Sequence, residues 1–172
     1  MKLAEAKLQF IASWGAFGTQ WGINRTMAQI HALLLISPDP LNQDDIMEQL
    51  NISRGNTNMN IRGLIDWALV ERIIITGQRK EYFIAEKDIW KVAKRIMLER
   101  KKRELDPMIK LVVQLCDIED EGNDKDLKAF SDTIQGIKKL SAHADKTLDV
   151  MIRADENWFL GSLMKLVIGT EK

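Results

Sequence analysis

Six residues in the ten positions from Ser53 to Arg62 could do recognition chemistry: Ser53, Arg54, Asn56, Asn58, Met59 and Arg62. An Asn carboxamide offers a donor and an acceptor side by side, and an Arg guanidinium offers a rigid fork of donors. These groups match the major-groove edges of adenine and guanine respectively. Asn is a poor helix former, so Asn56, Asn58 and Asn60 in one short stretch point to something other than local stability. Taken alone, the same residues also fit a solvated helix face or the caps of a frayed helix start. Further on, Gly77 is followed by Gln78, Arg79 and Lys80, which put a polar group and two cations at a bend. They suit phosphate or the minor groove, where contacts position rather than specify; a merely soluble hairpin tip is the alternative. Catalysis is not expected. His31, His143 and Cys116 form no recognisable nucleophile–base pair or metal set, and no Gly-rich phosphate loop occurs. No metal and no cofactor are expected.

The surrounding elements give these residues a frame. Asn42 to Asn51 reads as a short helix, with Asn42 as N-cap, Asp44 and Asp45 in the first turn, and Ile46 and Leu50 as its apolar stripe. After a tight break at residues 51–53, a second helix spans 54–67. Thr57, Ile61, Leu64 and Ala68 share its inner face, Ile65 flanks them, and Trp67 belongs to the core. Two strands, Glu71 to Thr76 and Glu81 to Ile84, flank the Gly77 turn. Helix, turn, polar-faced helix and basic hairpin make a winged helix-turn-helix. The predicted fold class is mainly α, a three-helix core plus β-hairpin wing with flanking N- and C-terminal dimerisation helices.

From Trp21 to Trp90 the chain resembles the GbsR branch of the MarR-like bacterial and archaeal transcriptional regulators. The resemblance rests on Trp21-Gly22, Met27-Ala-Gln-Ile-His31, Pro40-Leu41, Ile52-Ser-Arg-Gly-Asn56, Met59-Asn-Ile-Arg62, Leu64-Ile-Asp-Trp67, Val70, Gly77-x-Arg79-Lys80 and Glu86-Lys-Asp-Ile-Trp90. It implies a homodimer that binds double-stranded operator DNA through the winged domain. By resemblance only, it implies a small-molecule effector such as a quaternary ammonium compound. Ala68 stands where related winged domains often carry Gly, which predicts a less open turn after the recognition helix. A winged helix can also serve as a protein-interaction module without sequence-specific DNA binding; that is the alternative function.

Composition bounds the remainder. The 172 residues include 45% hydrophobic types, 3 Pro and no low-complexity tract, as in an ordered globular chain. One cysteine and no signal-peptide pattern predict a cytoplasmic protein. Net charge is zero, yet residues 1–104 carry 16 Lys and Arg against 12 Asp and Glu, and residues 105–172 carry 9 against 13. That asymmetry suits a phosphate-facing amino-terminal part.

Three regions are expected. Residues 1–23 form an N-terminal helix, either in a dimer interface or covering the winged domain, with Leu3, Leu8, Ile11, Ala12 and Trp14 or Gly15 as its stripe. Gly15, Gly18 and Gly22 loosen the chain around Trp21. Residues 24–86 form the winged domain; Asn24 or Thr26 caps its first helix, and His31 packs inside rather than binding a ligand. Residues 87–172 form a helical dimerisation region. It holds a basic helix broken near Asp106-Pro107, an acidic turn at 119–124, a helix over 126–151 and an apolar helix over 155–168. The basic helix either steers phosphate or is merely solvated. In the helix over 126–151, Leu127, Phe130, Ile134, Ile137, Leu140 and Leu148 form the stripe. Cys116 is a redox sensor or a small buried hydrophobe. Trp14, Trp21 and Trp158 are candidates for an aromatic effector cage, which cation–π attraction would favour, with plain packing as the alternative.

Overall fold

The structure is a computed structural model that describes residues 1–20, 22–117 and 125–154. Trp21, Trp158, the acidic turn at 119–124 and the apolar helix expected over 155–168 lie outside the described residues. The chain divides into two compact units, Met1–Val92 and Ala93–Lys172.

The first unit begins with an antiparallel pair, α1 (Leu3–Gln20) and α2 (Arg25–Ile36). Asn24 caps α2, its Oδ1 accepting from the Thr26 and Met27 amides. Gly15 and Gly18 do not loosen the chain. Both lie inside α1, where they admit α2 at close range: a Cβ on Gly18 would stand 2.6 Å from Ala28 Cβ, and one on Gly15 2.7 Å from Gln29 Cγ. The buried line of α1 is therefore Ile11, Gly15 and Gly18. Leu3 and Leu8, expected on the stripe, are 73% and 66% exposed, and Ala12 is exposed too. Length explains the two leucines. At 1.5 Å per residue, 18 residues of α1 run about 27 Å against about 18 Å for the 12 of α2. The overhang falls at the α1 N-terminus.

β1 (Leu41–Asn42), a strand the sequence did not suggest, leads into α3 (Gln43–Leu50). Asn51 closes α3 in the left-handed conformation (φ 50°), which Asn tolerates better than most side chains. α4 (Arg54–Asp66) follows, then β2 (Val70–Ile74) and β3 (Glu81–Ala85). The sheet is antiparallel in the order β1-β3-β2, with Asn42 opposite Tyr82 and Arg72 opposite Phe83. Ile30, Leu34, Ile46, Thr57, Leu64 and Val70 form the heart of this unit. Ala68 adopts φ 56°, so the turn after α4 is made despite its Cβ. The Ala68 amide donates to Ile65 O and the Leu69 amide to Leu64 O, and the buried Leu69 and Leu64 complete the hydrophobic side of this helix stop.

In the second unit, the later part of α5 (Ile89–Arg100) runs into a π-helical turn (Lys101–Leu105), then α6 (Asp106–Leu115) and α7 (Lys125–Arg153). The break expected at Asp106-Pro107 thus lies one turn earlier. A proline ring clashes with the carbonyl four residues back, here that of Arg103, and the wider turn makes room. Lys101, only 14% exposed, reaches Asp145 at 2.7 Å, Asp106 at 3.1 Å and Asp149 at 3.7 Å, tying this turn to α7. Donating to Asp145 and Asp106 raises its pKa. On α7, Ile134 and Ser141 are buried while Leu140 is 71% exposed. Seven residues return almost to the same helix face and six do not, so Leu140 falls off the stripe expected of it. Cys116 is half-exposed at the end of α6, not a core residue.

Replacing Gly18 with Ala sets helix propensity, worth up to about 1 kcal/mol in favour, against overpacking of Ala28, worth about 1–3 kcal/mol against. Overpacking should win. Urea unfolding of Gly18→Ala is expected to show a lower midpoint; a raised midpoint would mean that α1 and α2 can move apart at little cost.

Candidate nucleic-acid interface

Asn42 sets the geometry. Its side-chain oxygen accepts from the Asp44 and Asp45 amides, and its own amide donates to Asp45 Oδ2 at 2.9 Å, a complete capping box for α3. As the β1 partner of Tyr82, it also fixes the start of α3 against the wing strand. Asp44, in the first turn of α3 just past this pair, reaches Lys80, the residue before β3. Asp44 Oδ2 accepts from Lys80 Nζ at 2.9 Å, and Asp44 Oδ1 accepts from Arg54 Nη2 at 2.9 Å. The Lys80 hydrogen bond and charge, and then Arg54, hold the Asp44 carboxyl below its ordinary pKa; the Lys80 ammonium is raised in return. Gln43 Nε2 donates to Arg54 O, which fixes the first turn of α4 to that of α3.

Ser53 caps α4, its hydroxyl accepting from the Asn56 amide and its carbonyl from Thr57. Arg54, Asn58, Met59 and Arg62 are exposed along α4, Met59 at 61%. Among the described residues, Asn58 and Arg62 make no side-chain hydrogen bond or ion pair, and neither does Arg79 in the wing. Gln78 accepts from the Tyr82 hydroxyl, and Gly77 takes φ 84° at the bend. The structure thus gathers Arg54, Asn58, Met59 and Arg62 on one outer surface and ties Lys80 to its edge through Asp44.

Asn56 behaves differently. It is half-buried, its Nδ2 donates to Thr26 Oγ1 at 3.5 Å, and its Oδ1 accepts from Asn60 Nδ2 at 2.7 Å. Asn60 is only 4% exposed and also donates to Asn56 O. Two of the three asparagines therefore face inward, and Asn56 ties α4 to α2 while Asn60 braces Asn56. Sequence reasoning missed this, although Asn56 and Asn60, four apart, share a helix face with the inward Thr57 and Ile61.

Lys87, at the start of the basic stretch, closes α2. Its Nζ donates to Leu34 O, Leu35 O and Ser37 O at 2.6–2.8 Å. A cation there satisfies carbonyls that a helix end leaves open and meets the negative end of the helix dipole. Burial lowers its pKa.

Of the effector candidates, Trp14 alone is described. Its ring stands 5.5 Å from that of Phe10 and 6.2 Å from that of His31. His31 is 2% exposed, and its Nε2 has no hydrogen-bond partner among the described residues.

No protein-family model matches the chain, and no curated protein matches it. A solved structure described as the crystal structure of a transcriptional regulator superposes with a TM-score of 0.65 at 18% identity, covering 86% of this chain and 95% of that one. The chain has a winged-helix fold. Within that fold α3 and α4 form the helix-turn-helix, β2 and β3 form the wing, and the strand β1 closes the small sheet. No helix among the described residues is long and apolar enough to cross a membrane.

Burial, reinforced by the charge of Lys87, lowers the His31 pKa from 6.5 to about 4. The folded chain then resists a proton that the unfolded chain accepts. Stability is full above about pH 6.5 and falls as pH drops toward 4, by about 3 kcal/mol for this group. His31→Leu should abolish that part of the acid loss. The check is the difference in unfolding free energy between variant and parent at pH 7 and pH 4.5; a pH-independent difference would remove His31 from the account.

Proposed function

We propose that this chain is a sequence-specific DNA-binding transcriptional regulator that acts as a homodimer. The observation that carries this reading is the outer face of α4, where Asn58 and Arg62 stand exposed, with no partner among the described residues, beside Met59 and Arg54. A helix has such a face for a reason when its inner side is already fully used, as Thr57, Asn60, Ile61 and Leu64 use it here. Arg62 and Asn58 are assigned base edges. Arg79 and Lys80 are assigned phosphate, and Ser53 and Asn56 the docking of α4. The similar structure, described as a transcriptional regulator, supports this reading, as does the resemblance to the GbsR branch of MarR-like regulators.

The dimer is supported by apolar side chains left exposed: Leu3, Leu8 and Phe17 on α1, and separately Met108, Leu111 and Val113 on α6. Two-fold symmetry would let paired recognition helices meet half-sites one helical turn apart. The domain assignment follows: α1 and the helices beyond residue 87 serve assembly, and residues 24–86 serve DNA. An effector is the least supported element, because the Trp14 ring already packs on Phe10 and His31.

The test is selection of bound sequences from a random duplex pool at two salt concentrations. An enriched palindrome is expected. No enrichment, with binding lost as salt rises, would turn the reading toward a protein-interaction module. On an enriched site, Arg62→Ala should cost roughly 1–3 kcal/mol and relax specificity at one position. Arg79→Ala should weaken all sequences alike and reduce the salt slope by about one unit. Equal losses on cognate and random duplex for Arg62→Ala would assign that side chain to the backbone instead.

A further inference from the structure

The cations of the proposed interface fall into two kinds. Arg62 and Arg79 are unpaired among the described residues, whereas Arg54 and Lys80 are each held by one oxygen of the Asp44 carboxylate, both at 2.9 Å. One side chain thus bridges the start of the recognition helix and the base of the wing. The three charged groups are 47–70% exposed, and they rim a hollow of about 160 Å³ lined also by Asn42, Gln43, Phe83 and Glu81, whose carboxylate pairs with Arg72. Such exposed pairs are weak. A carboxylate that presents two oxygens to two cations does what a backbone phosphate does with its two free oxygens.

We propose that Asp44 is an internal competitor for DNA phosphate: it holds Arg54 and Lys80 in the free protein and yields both to the duplex backbone on binding. The inference rests on the DNA-binding reading. Three features argue for it. Asp44 is not needed to cap α3, because Asn42 and Asp45 form the capping box. It lies on a helix anchored to the wing strand two residues earlier, where Asn42 pairs with Tyr82. It also neutralises two cations where the proposed surface would gain most from keeping them free. The cost to binding is independent of sequence, so the competitor lowers affinity for random duplex as much as for an operator and leaves discrimination to Asn58 and Arg62.

The experiment compares full-length parent, Asp44→Asn, Arg54→Gln/Lys80→Gln and the triple variant on a random-sequence duplex, titrated at several salt concentrations. Thermal midpoints serve as a fold control. Asp44→Asn should bind about three- to tenfold more tightly with the salt slope nearly unchanged, because parent and variant set the same two cations on phosphate once bound. In the Arg54→Gln/Lys80→Gln background the same substitution should gain almost nothing, whereas simple removal of a negative charge near DNA would gain equally in both backgrounds. A parent chain that binds while Asp44→Asn, folded, binds no more tightly overturns the competitor and leaves the DNA reading standing. A parent chain that binds no duplex even at low salt overturns both.

Discussion

Much of the first unit depends on what a single side chain, Asn42, does at the mouth of α3. It accepts from two orphan amides of the helix and, through its backbone, pairs with the wing strand at Tyr82. Helix start and sheet edge are thereby one fixed point. From it, the position of Asp44 against Lys80, of Gln43 against Arg54, and so of α4 against the wing, all follow. Without this tie the hairpin would keep its core packing through Val70, Phe83 and Ala85 but lose the backbone pairing that sets it against the start of α3.

The legible part of this fold was the part written in short-range signals. The Asn42 cap, the acidic first turn, the break before Ser53 and the Gly77 bend are local rules of helix ends and turns, and each appears where the residues pointed. Signals that depend on what lies opposite were harder to read. Gly15 and Gly18 resemble chain looseners until α2 is seen against them. Lys87 looks like a surface cation until the carbonyl end of α2 is placed beside it. A strand of two residues, β1, carries no periodicity at all.

The candidate site divides in the same way. The types of its residues, Asn and Arg on a helix and cations on a hairpin, could be read from the chain. Their partners could not. Whether a cation is free or already occupied depends on a carboxylate from another element, as Arg54 and Lys80 show beside Arg62 and Arg79. The asparagines make the same point: in one run of five residues, Asn58 faces water while Asn56 and Asn60 face inward.

The polar inner face of α4 has a consequence for its angular setting. The Asn60 and Thr57 bonds lie within the helix and its cap and turn with it, whereas Asn56 Nδ2 reaches Thr26 Oγ1 on α2. Each residue advances the helix by about 100°, so a slip of one position would break that contact and set Asn58 and Arg62 where Thr57 and Ile61 are buried. Burying such groups without partners costs about 1–3 kcal/mol each. An inner face of Leu or Ile alone would tolerate a small roll about the axis. This one works as a key in a slot. It holds the helix at one rotational phase, so that the row of side chains turned outward is the same row in every molecule.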